Sequence, residues 1–168
     1  FNLFFVILIV FYSGELIWRE RDIKMNQIFD ALPLPNFSSL LSKFLAFVAV
    51  HISLLLILMA AGIVIQVIQG YYKFELGVYI SNLFSENLVF LVLFTLLALF
   101  LQVIANHKYL GHALIVLFFI ATLVINQIGL EHNMFRFASG SLGTYSDMNT
   151  YGHYVPPFSW YQLYWIGM

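Results

Sequence analysis

The amino-acid sequence predicts an all-α transmembrane bundle with several membrane-crossing helices. Three observations predict this class: 62% of the residues are hydrophobic, only 9% are charged, and the mean hydropathy is +0.91. A soluble domain of this length exposes far more charged side chains. We therefore expect lipid to surround most of the chain.

Three apolar runs are long enough to cross a bilayer, whose hydrocarbon core of about 30 Å needs roughly 20 apolar residues in a helix. Each run is rich in Leu, Ile, Val and Phe and holds no formal charge within it. Strands seldom exceed about 10 residues, so runs of this length are not the central strands of a soluble protein. The predicted spans are 44–69, 87–106 and 110–130.

The remaining segments extend this transmembrane domain, which is expected to be an internal piece of a longer protein. Residues 1–12 form the end of one span, and 160–168 form the start of another. Residues 131–159, with Gly, Ser and several Tyr, form a structured outer loop. Helical spacing also predicts a short helix in the membrane interface before the second full span, carrying Glu75, Leu76, Tyr79, Ile80 and Leu83.

Charge and cysteine content exclude several classes of function. The chain has no cysteine, which excludes disulfides, Cys-ligated zinc, iron–sulfur clusters and thiol catalysis in this stretch. Its formal net charge is −1, and its seven Lys and Arg residues are scattered. Seven scattered basic residues are too few to neutralise a phosphate backbone, so nucleic acid is not an expected partner.

The basic residues orient the bundle, because Lys and Arg are retained on the cytoplasmic side. The segment 13–43 is the richest in them and is therefore predicted to be cytoplasmic. With alternating spans, five basic residues fall inside and two fall outside. The inner ones are Arg19, Arg21, Lys24, Lys43 and Lys108, and the outer ones are Lys73 and Arg136.

Segment 13–43 is predicted to form a helix, a proline elbow and the start of a second helix. The helix carries mixed charges beside a mostly apolar stripe, and it is expected to end at Pro33 and Pro35, which cannot continue it. Asn36 or Ser38 is then available to cap the next helix. The stripe consists of Ile17, Arg21, Met25, Ile28 and Leu32.

This segment resembles the permease subunits of type-2 ABC exporters. The resemblance rests on Gly14-Glu15-Leu16 with Trp18-Arg19-Glu20-Arg21-Asp22, on Asp30-Ala31-Leu32-Pro33, and on Lys43 opening the next span. With Tyr145-Ser146-Asp147-Met148-Asn149 and Tyr151-Gly152-His153, the chain is most similar to a bacterial subgroup that often carries a zinc aminopeptidase-like domain. No His-Glu-x-x-His occurs in this chain, so a peptidase would lie outside it.

The resemblance implies a permease of the bacterial inner membrane that is not itself an enzyme. A separate ABC ATPase would hold ATP and Mg²⁺, a second permease half would complete a homo- or heterodimer, and this chain would carry no cofactor. The coupling residues it implies are Arg19, Glu20, Arg21, Asp22, Asp30, Leu32 and Pro33. The resemblance also predicts that replacing Arg21 or Asp30 by Ala uncouples ATP hydrolysis from transport. The alternative for the charged segment is an ordinary solvated loop beside a span.

Polar residues within the spans either hold helices together or line a substrate path. They are Ser53, Gln66, Gln102, Thr122 and Asn126, with Gln127 beside them. No formal charge lies in the middle of a predicted span, which argues against ion-coupled transport. The nature of the substrate stays open among lipids, peptides and hydrophobic drugs.

Two further classes of function remain as alternatives. The first is a structural or anchoring subunit of a membrane complex, without a transport path. The second is a b-type haem protein, because intramembrane histidines often ligate haem. An intramembrane hydrolase is not expected, since His51 and Ser53 are two residues apart on a helix and point apart. The five histidines are His51, His107, His112, His132 and His153.

Overall fold

The computed structural model describes residues 2–25, 36–72, 74, 76–105, 107–127, 137–138 and 154–168. Every regular element in these ranges is helical, and they contain no β-strand. The predicted all-α class is therefore confirmed.

The first helix, α1, runs over Asn2–Asp22 and continues without a break from the apolar residues into the charged ones. It ends in a turn in which Lys24 adopts a left-handed backbone conformation with φ of 55°. Arg19 and Arg21 lie in its last turn, where cations interact favourably with the helix dipole. The expected single helix is interrupted at Lys24, and its expected end at Pro33 and Pro35 lies outside the described ranges. Residues 26–35 lie outside the described ranges.

The second helix, α2, covers Asn36–Ile68 and begins well before the predicted span start at Phe44. Its 33 residues give it a length of about 50 Å. It ends in a Schellman motif: Tyr71 N–H donates to the Gln66 carbonyl, Gly70 N–H donates to the Val67 carbonyl, and both distances are 3.0 Å. Gly70 has φ of 78°, which residues with a Cβ rarely adopt.

Three consecutive segments form one continuous helix from Leu76 to Ile104. They are α3 (Leu76–Ile80), a π-helical turn (Ser81–Asn87) and α4 (Leu88–Ile104). Asn87 Nδ2 donates to the Asn82 carbonyl at 3.1 Å, across the wide turn. The predicted interfacial helix is thus not separate from the second span. Glu86, which precedes the predicted span 87–106, lies within this same helix.

The last two helices are α5 (Lys108–Gln127) and α6 (Val155–Gly167). α6 begins before the predicted start at Trp160, and two prolines occupy its first turn. Proline is tolerated there because the first backbone N–H groups of a helix have no partner within it. Most of the predicted outer loop 131–159 lies outside the described ranges.

Three of these helices are long and apolar enough to cross a membrane, namely Phe37–Ile68, Leu76–Ile104 and Lys108–Ile125. Their most apolar windows have mean hydropathies of 2.7, 2.6 and 2.0. Large apolar side chains stay exposed along them, as lipid-facing helices require. The chain is accordingly a membrane protein with several candidate spans.

The chain divides into two compact units. Unit one contains 1–48 and 94–131, and unit two contains 49–93 and 132–168. In unit one, α1 packs on α5, and a buried cluster is formed by Ile17, Trp18, Phe47 and Leu99. In unit two, the Tyr79 ring faces Gly62, and the Phe137 and Trp165 rings meet edge to face with centroids 5.3 Å apart.

Candidate functional site

Two ion pairs join the charged end of α1 to its neighbours in unit one. Glu20 Oε2 lies 2.7 Å from Nζ of Lys43, the eighth residue of α2, and this pair is partly buried. Glu15 accepts a hydrogen bond from Lys108 at the start of α5. Three of the helix ends that carry the predicted cytoplasmic charges therefore lie together in this unit.

The Glu15 carboxylate is stabilised by its partner. The hydrogen bond from Lys108, and then the positive charge of that ammonium, hold the pKa of Glu15 below its ordinary value. Glu15 therefore stays ionised down to a lower pH than an isolated glutamate, and the ion pair is complete at neutral pH.

The predicted coupling residues on α1 divide into exposed and paired ones. Arg19, Arg21 and Asp22 are exposed, whereas Glu20 is partly buried by its pair with Lys43. The Arg21 guanidinium lies 4.8 Å from the centroid of the Trp18 ring, which is cation–π distance. The other predicted coupling residues, Asp30, Leu32 and Pro33, lie outside the described ranges.

Beneath these charges, a chain of hydrogen bonds connects three helices of unit one. Trp18 Nε1 on α1 donates to Gln102 Oε1 on α4 at 3.0 Å. Gln102 Nε2 lies 3.2 Å from His112 Nδ1 on α5. The Gln102 side chain is fully buried, and Trp18 is 9% exposed. A buried polar group left without a partner is costly, so this chain favours one arrangement of the three helices.

Two glycines allow the polar side chains to approach this closely. A Cβ on Gly14 would lie 2.2 Å from His112 Cε1, and a Cβ on Gly111 would lie 2.1 Å from Gln102 Oε1. Both distances are far shorter than van der Waals contact, so any side chain at these positions displaces the neighbouring group. Glycine is therefore required at both positions for the observed packing.

The structure separates the polar residues that the sequence singled out within the spans. Gln102 joins the hydrogen-bond chain, while Ser53 is exposed and donates to the Val50 carbonyl at 2.8 Å. Thr122 donates to the Phe119 carbonyl at 2.6 Å, so its hydroxyl is also satisfied within its own helix. Gln66 is partly buried in unit two, and the Asn126 side chain lies outside the described set.

The histidines occupy different environments. His51 is fully buried in α2 and belongs to unit two, whereas His107 and His112 belong to unit one. Within the described ranges, no group of three or more His, Cys, Asp or Glu side chains is arranged to hold a metal ion. His132 and His153 lie outside those ranges.

Sequence reasoning identified part of this site and missed its centre. Trp18 and Gly14 were recognised only as parts of a charged motif, and His112 only as one of several histidines. Buried Ser13 and Thr95 were not singled out at all. A usable signal was present: Gln102 lies near the end of the predicted span 87–106 and His112 near the start of 110–130, and polar side chains in spans often hydrogen-bond across helices.

No family model, no curated protein and no solved structure matches this chain.

Proposed function

We propose that this chain is the membrane-spanning permease part of an ABC exporter in a bacterial cytoplasmic membrane. In this proposal the end of α1 is the contact for a partner ATPase, and a second permease half completes the transporter. The resemblance of the 14–33 segment to type-2 exporters motivates the proposal. The anchoring of the α1 end in unit one supports it.

The observation that carries the proposal is the combination of exposed charge and firm attachment at one helix end. Arg19, Arg21 and Asp22 present both signs of charge to solvent, which suits complementary docking of a soluble protein. The same helix end is tied to α2 through Lys43 and to α5 through Lys108. A push on such an end is transmitted to packed helices, whereas a push on a solvated loop is lost.

Closure of the ATPase around ATP would supply the energy in this mechanism. The α1 end would follow the ATPase, and the helices of unit one would rearrange as packed bodies. A structural or anchoring subunit needs no such attached charged end, and this is the feature that favours the permease.

The test is purification of the full-length chain from its native membrane in mild detergent. A permease is expected to carry with it an ATPase containing a Gly-x-x-x-x-Gly-Lys-Ser/Thr loop and vanadate-sensitive ATP hydrolysis. Replacing Arg19 and Arg21 together by Ala is expected to weaken that association at least about tenfold, since charged anchors at interfaces contribute strongly.

The control is Arg136→Ala, which removes one arginine charge from the segment that the sequence places outside. It is expected to leave ATPase association unchanged. A chain that purifies intact without any ATPase would favour the anchoring subunit. A Soret absorption band in the purified protein would instead establish the haem alternative.

A further inference from the structure

We propose that Trp18, Gln102 and His112 form a rigid hydrogen-bonded connection between helices, which we call the joint. It makes the charged end of α1 move as one body with the end of α4 and the start of α5, which together we call the α4–α5 hairpin. The inference rests on the proposed function, because it assigns the path by which a push at Arg21 reaches the spans. The three side chains act as positioning residues through the helices that they connect.

The chemistry of the three groups allows only one pattern of hydrogen bonds. The Trp18 indole N–H is a donor without acceptor capacity, so the group facing it must be the Gln102 oxygen. The Gln102 amide nitrogen then faces His112 and donates, so His112 Nδ1 must accept. An imidazole that accepts at Nδ1 is the tautomer with its proton on Nε2. Turning the amide over breaks both bonds together.

Burial prevents water from replacing these bonds. Gln102 is fully buried while α1 is in place, so a small displacement of α1 from α4 leaves its oxygen without a partner. Gly14 places the backbone of α1 against His112, and Gly111 places the backbone of α5 against Gln102, with no room for a Cβ at either position. Small displacements of α1, α4 and α5 relative to one another are therefore unfavourable.

The joint is directly connected to the proposed docking residues. Arg21 stacks on the ring of Trp18, the same indole whose N–H reaches Gln102. On the other side, the Glu15–Lys108 pair lies one residue from Gly14 and at the first residue of α5. A force on Arg21 is thus delivered to an indole that is hydrogen-bonded to the hairpin.

The absence of cysteine allows a direct measurement. Spin labels on Ile23→Cys and Tyr109→Cys, both exposed positions of unit one, report the distance between the α1 end and the start of α5. In lipid nanodiscs the full-length chain is expected to give one narrow distance distribution. Trp18→Phe, which loses one buried hydrogen bond, is expected to increase the fraction outside the main peak about three- to fivefold, and Gln102→Leu, which loses two, is expected to increase it at least as much.

Conservative and neutral variants separate the joint from general loss of packing. His112→Asn keeps an acceptor near the Nδ1 position and is expected to retain the narrow distribution. Ser53→Ala removes a hydroxyl that bonds only its own helix, and it is expected to have no effect. Because Gln102→Leu already removes the bond to Trp18, the double variant is expected to broaden the distribution no more than Gln102→Leu alone.

A spectroscopic measurement distinguishes loss of the Trp18 hydrogen bond from poor folding of a variant. These 168 residues contain three tryptophans, so ¹⁵N labelling gives three indole N–H signals from this stretch, and Trp18→Phe assigns one of them. Gln102→Leu is expected to move that signal and leave the other two in place. An unmoved Trp18 signal, or a narrow distance distribution in all variants, would overturn the joint whether or not an ATPase binds.

The ATPase complex then tests the role of the joint in coupling. With the wild-type chain, the distance is expected to stay the same without nucleotide and with ATP and vanadate. With Trp18→Phe, it is expected to change on ATP binding while ATP hydrolysis continues. Failure to isolate an ATPase would count against the proposed function alone, since the labels and indole signals test the joint in the isolated chain.

Discussion

Single residues set the geometry of the hydrogen-bond chain in unit one. The indole of Trp18 fixes the orientation of the Gln102 amide, and that amide fixes the tautomer of His112. Gly14 and Gly111 contribute by having no side chain, because a methyl group at either position would overlap its neighbour. The glycines and the large polar side chains are therefore both needed for the geometry of this hydrogen-bond chain.

Gly14→Ala is expected to destabilise the protein by roughly 1–3 kcal/mol, the usual cost of inserting a methyl group into a packed site. The new Cβ would lie 2.2 Å from His112 Cε1, so the imidazole must move and its bond to Gln102 weakens. Thermal unfolding in detergent, followed by circular dichroism, measures the change.

Gly77→Ala is the control, because a Cβ at that helical position meets nothing within 4 Å. It is expected to be neutral or slightly stabilising, since Ala favours helix more than Gly does. Equal destabilisation by both substitutions would contradict the close approach of α1 and α5.

The residue-scale pairings were only partly predictable from sequence. Gln102 was recognised as polar within a span, where pairing with another helix is the usual outcome. Its partner Trp18 is 84 positions away along the chain, and no local pattern connects the two. Only the packing of α1 beside the α4–α5 hairpin brings them together.

At the scale of elements, apolar run length predicts a helix well and its ends poorly. The predicted span 44–69 lies in a helix that begins at Asn36, one of the two residues expected to cap it, and Lys43 within this helix pairs with Glu20. The predicted outer helix merges with the next span, because a π-helical turn carries polar residues without breaking the backbone ladder. Neither ion pairs between helices nor wide turns have a simple sequence signature.

The length of α2 leads to a depth prediction. At about 50 Å the helix exceeds a hydrocarbon core of about 30 Å, so its first turns are expected to extend into water. Ser42→Cys should react with a membrane-impermeant maleimide, while Leu56→Cys should not, because the reactive thiolate needs water. Both positions are exposed in the protein, so lipid alone accounts for the difference.

Denaturation in SDS supplies the control for this labelling, since both thiols should then react equally. Equal labelling before denaturation would show that the middle of α2 is not covered by lipid, and would remove this helix from the set of spans.

At the scale of the whole molecule, composition was sufficient to predict the class. A chain with 9% charged residues cannot cover a water-exposed surface, and backbone groups in lipid are satisfied only within helices or closed barrels. Long runs without charge then select helices. The number of described helices able to span, three, follows from the same runs.

Sidedness is the whole-molecule prediction on which the ATPase contact depends. Tyr109→Cys, at the start of α5, is expected to react with an impermeant maleimide only in inside-out vesicles. Tyr72→Cys, just beyond the end of α2, is expected to react only in right-side-out vesicles. Both side chains are more than half exposed, so the protein itself shields neither position from the maleimide. The reverse pattern would place the charged end outside, away from ATP.

The π-helical turn at Ser81–Asn87 also limits how this protein can vary in length. Each residue of a helix advances the side-chain direction by about 100°. Loss of one residue in the wide turn would restore a regular helix. It would also rotate the side chains that precede the turn by about 100° relative to α4, so that Tyr79 would point away from Gly62. Related proteins that keep the contact between Tyr79 and Gly62 should therefore conserve the number of residues from Tyr79 to α4, even where the residue types between them differ.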